Sequence, residues 1–187
     1  HHFHQPNTES SKCINCHMPG RFYMGNDFRR DHSFRVPRPD LSLKYGTPNA
    51  CSGCHKDKDD KWAAENFTKL FGEVDSIHFS EKLAPGITLQ PNGHEGLIDL
   101  MHDKNQPEIV RASATKVLSN YNAQNFVQQY IQLLNDESAM VRGASVDVLS
   151  EINSKDYISY FLPLLEDPKR SIRIKAFYGL GVLMENQ

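Results

Sequence analysis

The sequence predicts a mainly α-helical chain in two parts, a loop-rich N-terminal region followed by a short α-solenoid. Three observations lead there. In the C-terminal half, Val110-Arg111, Val141-Arg142 and Ile172-Arg173 recur at intervals of 31 residues, and Leu118, Leu149 and Leu180 keep the same offset. A period of that length marks stacked helical repeats. In residues 1–60 only seventeen side chains are hydrophobic, and the branched aliphatics are Ile14, Val36, Leu41 and Leu43. Finally, all four cysteines fall in two stretches, Cys13-Ile14-Asn15-Cys16-His17 and Cys51-Ser52-Gly53-Cys54-His55. The expected organisation is an N-terminal region over 1–75, a connecting segment over 76–96 and a helical repeat domain over 97–187.

C-x-x-C-H is the pattern in which two thiols add to the vinyl groups of a haem and the adjacent imidazole becomes the proximal iron ligand. Two such motifs that exhaust the cysteines lead to the expectation of two covalently attached haem c groups. One sits on Cys13 and Cys16 with His17 as ligand, the other on Cys51 and Cys54 with His55. A zinc-binding structural or interaction module is the alternative, since four thiolates make a closed tetrahedral site. Against it, 34 residues separate Cys16 from Cys51, beyond the roughly 15 to 20 of common zinc ribbons. Zinc also gives no reason for a histidine after each pair. A thioredoxin-like redox motif needs a strand before it and a helix after it, whereas Gly, Pro, Asn and Ser crowd these flanks.

Composition narrows the classes further. With 39% hydrophobic and 24% charged residues the chain is ordinary for a soluble protein, and a net charge of -2 lacks the basic excess of a nucleic-acid binder. No window of sequence approaches a transmembrane span. Without an initiator methionine or a charged-then-apolar leader, the chain reads as a mature or excised segment.

So little apolar volume in residues 1–60 cannot offset an ordering cost of about 1–2 kcal/mol per backbone residue. The N-terminal region is therefore expected to be haem-nucleated, the macrocycles supplying its core. Six of the nine histidines lie there: His1, His2, His4, His17, His32 and His55. Two irons with imidazole on both faces need four, so the surplus points to haems outside this chain. Between the motifs runs Arg29-Arg30-Asp31-His32-Ser33-Phe34-Arg35-Val36-Pro37-Arg38-Pro39-Asp40, in which the prolines favour an extended path. Arg29, Arg30 and Arg35 are candidate partners for haem propionates, and His32 is a candidate axial ligand.

His17-Met18-Pro19, the Asp31-His32 pair, and Cys51-Ser52-Gly53-Cys54-His55-Lys56-Asp57-Lys58 leading into a helix together resemble the C-terminal haem segment of multihaem cytochromes c. Pentahaem nitrite reductases show a similar order of parts. The resemblance covers residues 1 to about 80. It implies that His32 serves another haem and makes His78, on a later helix, a candidate for the haem of His55. It departs at the lysine-ligated C-x-x-C-K motif of the reductases, which this sequence lacks. On the residues alone, the second ligand of the His55 haem stays open between His78 and His32, with His1, His2 and His4 as further candidates. His1 or His2 would reach into an upstream site if the chain were the electron-feeding end of a reductase of small nitrogen or sulfur oxyanions.

From Asp59 the texture turns helical. Trp62, Ala63, Phe67, Leu70 and Phe71 form one face, and Gly72 ends it. Pro85-Gly86 and Pro91-Asn92-Gly93 read as turns, and His94 and His102 as helix-surface residues. In the repeats, Ala114, Ser145 and Ala176 share the 31-residue register, and each unit is preceded by an apolar helix ending in Asp103, Asp136 or Asp167. The pattern resembles a short HEAT-type solenoid. Asp136 with Arg142, and Asp167 with Arg173, are expected to form a charge ladder. Nothing in residues 97–187 pairs a nucleophile with a base or leaves an open metal site, so no catalytic residue is assigned. These features point to a periplasmic or otherwise extracytoplasmic electron-transfer protein, not an enzyme. Its repeats would dock redox partners or the upstream part of a larger multihaem chain, or mediate oligomerisation.

Overall fold

The computed structural model describes residues 3–74 and 77–185, and the chain divides into two compact units, His1–Ser76 and Ile77–Gln187. Both are mainly helical. The first contains α1 (Cys13–His17), strands β1 (Gly20–Tyr23) and β2 (Asp27–Arg30), α2 (Pro39–Tyr45), α3 (Cys51–Cys54) and α4 (Asp60–Phe71).

The antiparallel β1–β2 hairpin corrects the expectation of a purely loop-rich region. It pairs Gly20 with Arg30 and Tyr23 with Asp27. Its turn is made by Met24 and Gly25, both at positive φ, and Phe22 packs edge-on against Phe28 across the strands at 5.3 Å. Such cross-strand aromatic pairs are a local source of sheet stability. Nor does the extended path reach Asp40. Pro39 instead opens α2, because its missing N–H is one that a first helical turn leaves unbonded anyway.

The helix expected around Trp62 to Phe71 is α4. The Asp59 side chain accepts from Trp62 N–H at 2.7 Å, and Gly72, at φ 86°, ends the helix. Despite these local signals the unit buries little. Leu41 and Ala63 are its buried hydrophobic residues among those described, while Phe22, Phe28, Phe34, Val36, Leu43 and Phe71 are all more than half exposed.

The second unit contains α5 (Ser80–Ile87), α6 (Gly93–His102), α7 (Glu108–Leu118), α8 (Val127–Leu133), α9 (Ala139–Ile152), α10 (Ile158–Phe161) and α11 (Arg170–Glu185). Its core is continuous, running from Leu97, Leu100 and Met101 through Leu118, Tyr130 and Leu149 to Ile172 and Leu183. The small residues of the register, Ala114, Ser145 and Ala176, are completely buried. Pro85-Gly86 is not a turn: both lie in α5, where Pro85 removes one backbone bond. Tyr121 Oη donates to the carbonyl oxygens of Pro85 and Gln90, at 3.2 and 2.9 Å. Gly93 opens α6 so close to this point that an added Cβ would stand 2.5 Å from the Pro85 oxygen. Gly93→Ala is therefore expected to cost about 1–3 kcal/mol, read as a lower denaturant midpoint for loss of helicity.

The charge ladder exists, with different rungs from those expected. Arg111 pairs with Asp136, and Arg142 pairs bidentately with Asp167 at 2.7 and 2.8 Å. Each guanidinium thus crosses to the carboxylate of the following repeat, 25 residues on. The neighbour six residues away supplies a backbone carbonyl instead: Arg142 donates to Asp136 O and Arg173 to Asp167 O, both at 2.7 Å. The reason is that each aspartate folds back on its own turn. Asp103, Asp136 and Asp167 accept from the N–H of Asn105, Ser138 and Lys169 at 3.0, 2.9 and 2.8 Å. In Asp136 and Asp167 that leaves other lone pairs for the arginine of the preceding repeat, whereas the second oxygen of Asp103 accepts from Gln106.

Candidate functional site

In the first unit the two C-x-x-C pairs each occupy a single helical turn, α1 and α3. Spacing i, i+3 on a helix places both thiols on one side, with the histidine beside them. All four thiols are free, and the two turns lie near enough to influence each other. Burial, and then the neighbouring Cys54 and Cys13, push the Cys16 thiol up. Burial, with Cys16 and Cys54 close by, does the same to Cys51. Thiol–disulfide exchange requires the opposite shift.

A short loop fixes His17. Its Nδ1 lies 2.8 Å from the backbone oxygen of Arg35, while Arg35 N–H donates to the His17 oxygen at 2.9 Å. A carbonyl oxygen only accepts, so Nδ1 carries the proton and the lone pair belongs to Nε2, the tautomer a metal ligand needs. Phe34, between the two, stacks flat on the imidazole at 4.9 Å and 10°. Its φ of 48° is a rare value for a bulky residue, and backbone strain of this kind gathers at sites that hold a side chain in one pose.

Arg30 anchors the same turn. It donates to the carbonyl oxygens of Ile14 and Met18, both at 3.1 Å, and to Asn15 Oδ1 at 3.0 Å. Arg29 pairs with Asp27 and Arg35 with Ser33 and Asp31. Of the three proposed propionate partners, only the Arg30 side chain bonds to the α1 turn; those of Arg29 and Arg35 make local, exposed pairs within the hairpin and the loop. His32 is exposed on that loop.

His55 packs against Trp62 of α4, ring centres 4.7 Å apart, and against His4 at 6.2 Å. Phe3 meets Phe71 edge-on at 5.2 Å. In the second unit, His78 precedes α5 and accepts at Nδ1 from Ser80 N–H, 3.2 Å away. His1 and His2 lie outside the described residues. His94 contacts Tyr121 and Phe126, and His102 bonds Gln129 at 2.6 Å, so both serve packing within the repeats.

The second unit offers a groove of about 610 Å3 along α7, α9 and α11, with Ala112, Gly143 and Ile172 in its lining. Asp147 lies in it between Lys116, at 2.9 Å, and Lys175. Residues 95–181 match the family model for HEAT repeats. The C-terminal region is a HEAT-like solenoid. The match takes in α7 through α10 whole, together with the Arg111–Asp136 and Arg142–Asp167 rungs that join successive HEAT-like units. No curated protein matches the chain. Among the described residues no helix is long and apolar enough to cross a membrane.

The first unit's donor set is consistent with covalent haem attachment: two thiol pairs on helical turns, a histidine after each, one of them held with Nε2 as its lone-pair nitrogen. The exposed aromatic side chains around them would have a flat apolar surface to cover. Sequence reasoning missed Phe34, Trp62 and the Arg35 carbonyl. The first two were visible only as aromatic residues near a motif, and a backbone acceptor leaves no trace in sequence.

Proposed function

We propose that this chain is an extracytoplasmic electron-transfer cytochrome that carries two covalently attached haems and docks through its HEAT-like domain. The arrangement that supports it best is the His17 clamp. A histidine after a C-x-x-C pair, donating its Nδ1 proton to a backbone carbonyl and gripped by a stacked phenylalanine, is prepared to give its Nε2 to iron. Cys13 and Cys16 would hold one haem and Cys51 and Cys54 the other, with His17 and His55 as proximal ligands. The groups would supply a reversible one-electron couple.

The protein's own part is to hold that couple and limit its surroundings. Arg30 fixes the α1 turn through three hydrogen bonds, keeping thiols and imidazole in register. Exposed Phe22, Phe28 and Phe34 would cover an apolar face of a bound macrocycle, and Arg29 and Arg35, on the hairpin and the loop, would set positive charge near it. If histidines filled both positions that each group offers, none would be left for substrate, and the chain would pass electrons and leave catalysis to partners. Zinc is the weaker reading, because four thiolates would complete its site and leave no role for a histidine after each pair.

Mass spectrometry of the chain purified from an export-competent, haem-attaching host tests this. The expected result is two covalent haem additions and no alkylatable thiol. An unmodified mass with four reactive thiols would overturn it.

A further inference from the structure

We infer that His4 is the second axial ligand of the haem borne by Cys51 and Cys54, facing His55 across the iron. This rests on the functional reading above and adds the identity of the distal ligand, which the sequence placed first at His78 or His32 and otherwise left open among His1, His2 and His4.

The argument is one of distance and support. An imidazole nitrogen lies about 2 Å from a metal it binds, and the ring centre roughly 1 Å further, so two imidazoles across one iron have ring centres roughly 6 Å apart. The His4 and His55 rings stand 6.2 Å apart, centre to centre, with their planes 35° from each other. That is within the range of a ring contact and is also the spacing an intervening iron requires. Axial imidazoles are free to rotate about the bond axis, so the angle between their planes is not constrained.

The segment carrying His4 has its own footing. Phe3 packs edge-on against Phe71, which in turn meets Phe67 at 4.9 Å. These residues belong to α4, whose Trp62 packs on His55. One helix therefore positions both imidazoles, one through Trp62 and the other through the Phe71 contact of the preceding residue. Downstream, Thr8 closes the turn after His4 by donating to Gln5 O at 2.7 Å, with Asn7 of that turn at φ 64°. A side chain on a structureless tail would have none of these contacts.

The test uses the haem-loaded chain. In His4→Ala, with the haem count by mass still two, one of the two haems should change from low to high spin in the electronic and EPR spectra. It should then bind carbon monoxide, and added imidazole should restore the low-spin form. In His4→Met the same haem should stay low-spin with a raised potential, since thioether ligation favours the reduced iron. A merely structural His4 would show neither imidazole rescue nor that shift. If both haems of His4→Ala stay low-spin and His78→Ala or His32→Ala produces the change instead, the assignment is overturned while the functional reading stands. If His4→Ala does not accumulate, His4→Met decides alone, an unchanged potential counting against the assignment. A wild-type chain without haem would sink the functional reading itself.

Discussion

Replacing Asp136 by Ala is expected to destabilise the HEAT-like unit by about 3–5 kcal/mol, because it leaves a buried guanidinium without its counter-charge. The pair is unusually enclosed: the side chains of Arg111 and Asp136 are only 3% and 2% exposed. Burial alone would raise the Asp136 carboxyl. Hydrogen bonds from Arg111, Lys104 and Ser138 N–H outweigh it and hold the group at about 2. The unfolded value is about 3.9, so the folded pKa is depressed. The resulting stability, of order 2 kcal/mol, is fully present above that unfolded value and disappears as pH falls through the folded one. Urea titrations of the wild type at pH 5 and pH 2.5, followed by far-UV circular dichroism, should show that loss, and Asp136→Ala should show less of it. The double change Arg111→Met with Asp136→Leu removes both charges and should cost much less than either single truncation. Equal losses in all three variants would mean that packing volume, not charge, is what the pair contributes.

Preventing attachment at all four cysteines should unfold residues 3–74 and spare residues 77–185. The first unit buries Leu41 at 4% and Ala63 at 3% exposure as its hydrophobic residues, against a continuous run of buried side chains in the second. A hairpin with its aromatic faces in water and helices that bury so few apolar side chains cannot offset the entropy of ordering about 70 residues. In a chain with Cys13, Cys16, Cys51 and Cys54 all changed to Ser, limited proteolysis should therefore remove the N-terminal region completely. A helical core beginning near Ile77 should survive with its cooperative unfolding intact. A protease-resistant N-terminal region in that variant would show that haem does not supply its core.

What the sequence revealed and what it hid divide along a physical line. The C-x-x-C-H spacing and the 31-residue period are visible because each is written in residues close along the chain. The partner of Asp136 is not. Arg142 is nearest in sequence, yet an aspartate bonded to its own turn turns outward to Arg111 in the previous repeat. The hairpin escaped because its strands have four residues each and its signal is one Met-Gly turn with a cross-strand pair of phenylalanines. Pro85 read as a breaker, although near the end of a short helix it costs a single bond. The clamp on His17 depends on a main-chain oxygen, which any residue at position 35 would offer.

The rungs of the solenoid also have a direction. Each cation lies in one repeat and its anion in the next, so a cut is not symmetric. Removing the last repeat after residue 153 would strand Arg142 as a buried positive charge, whereas starting the chain after residue 118 would strand Asp136 as a negative one. The repeats are thus grammatical rather than interchangeable. A graft or an added unit joins productively only if an arginine faces forward into an aspartate turn that follows it, and a shuffled order of otherwise sound repeats would fail at its seams.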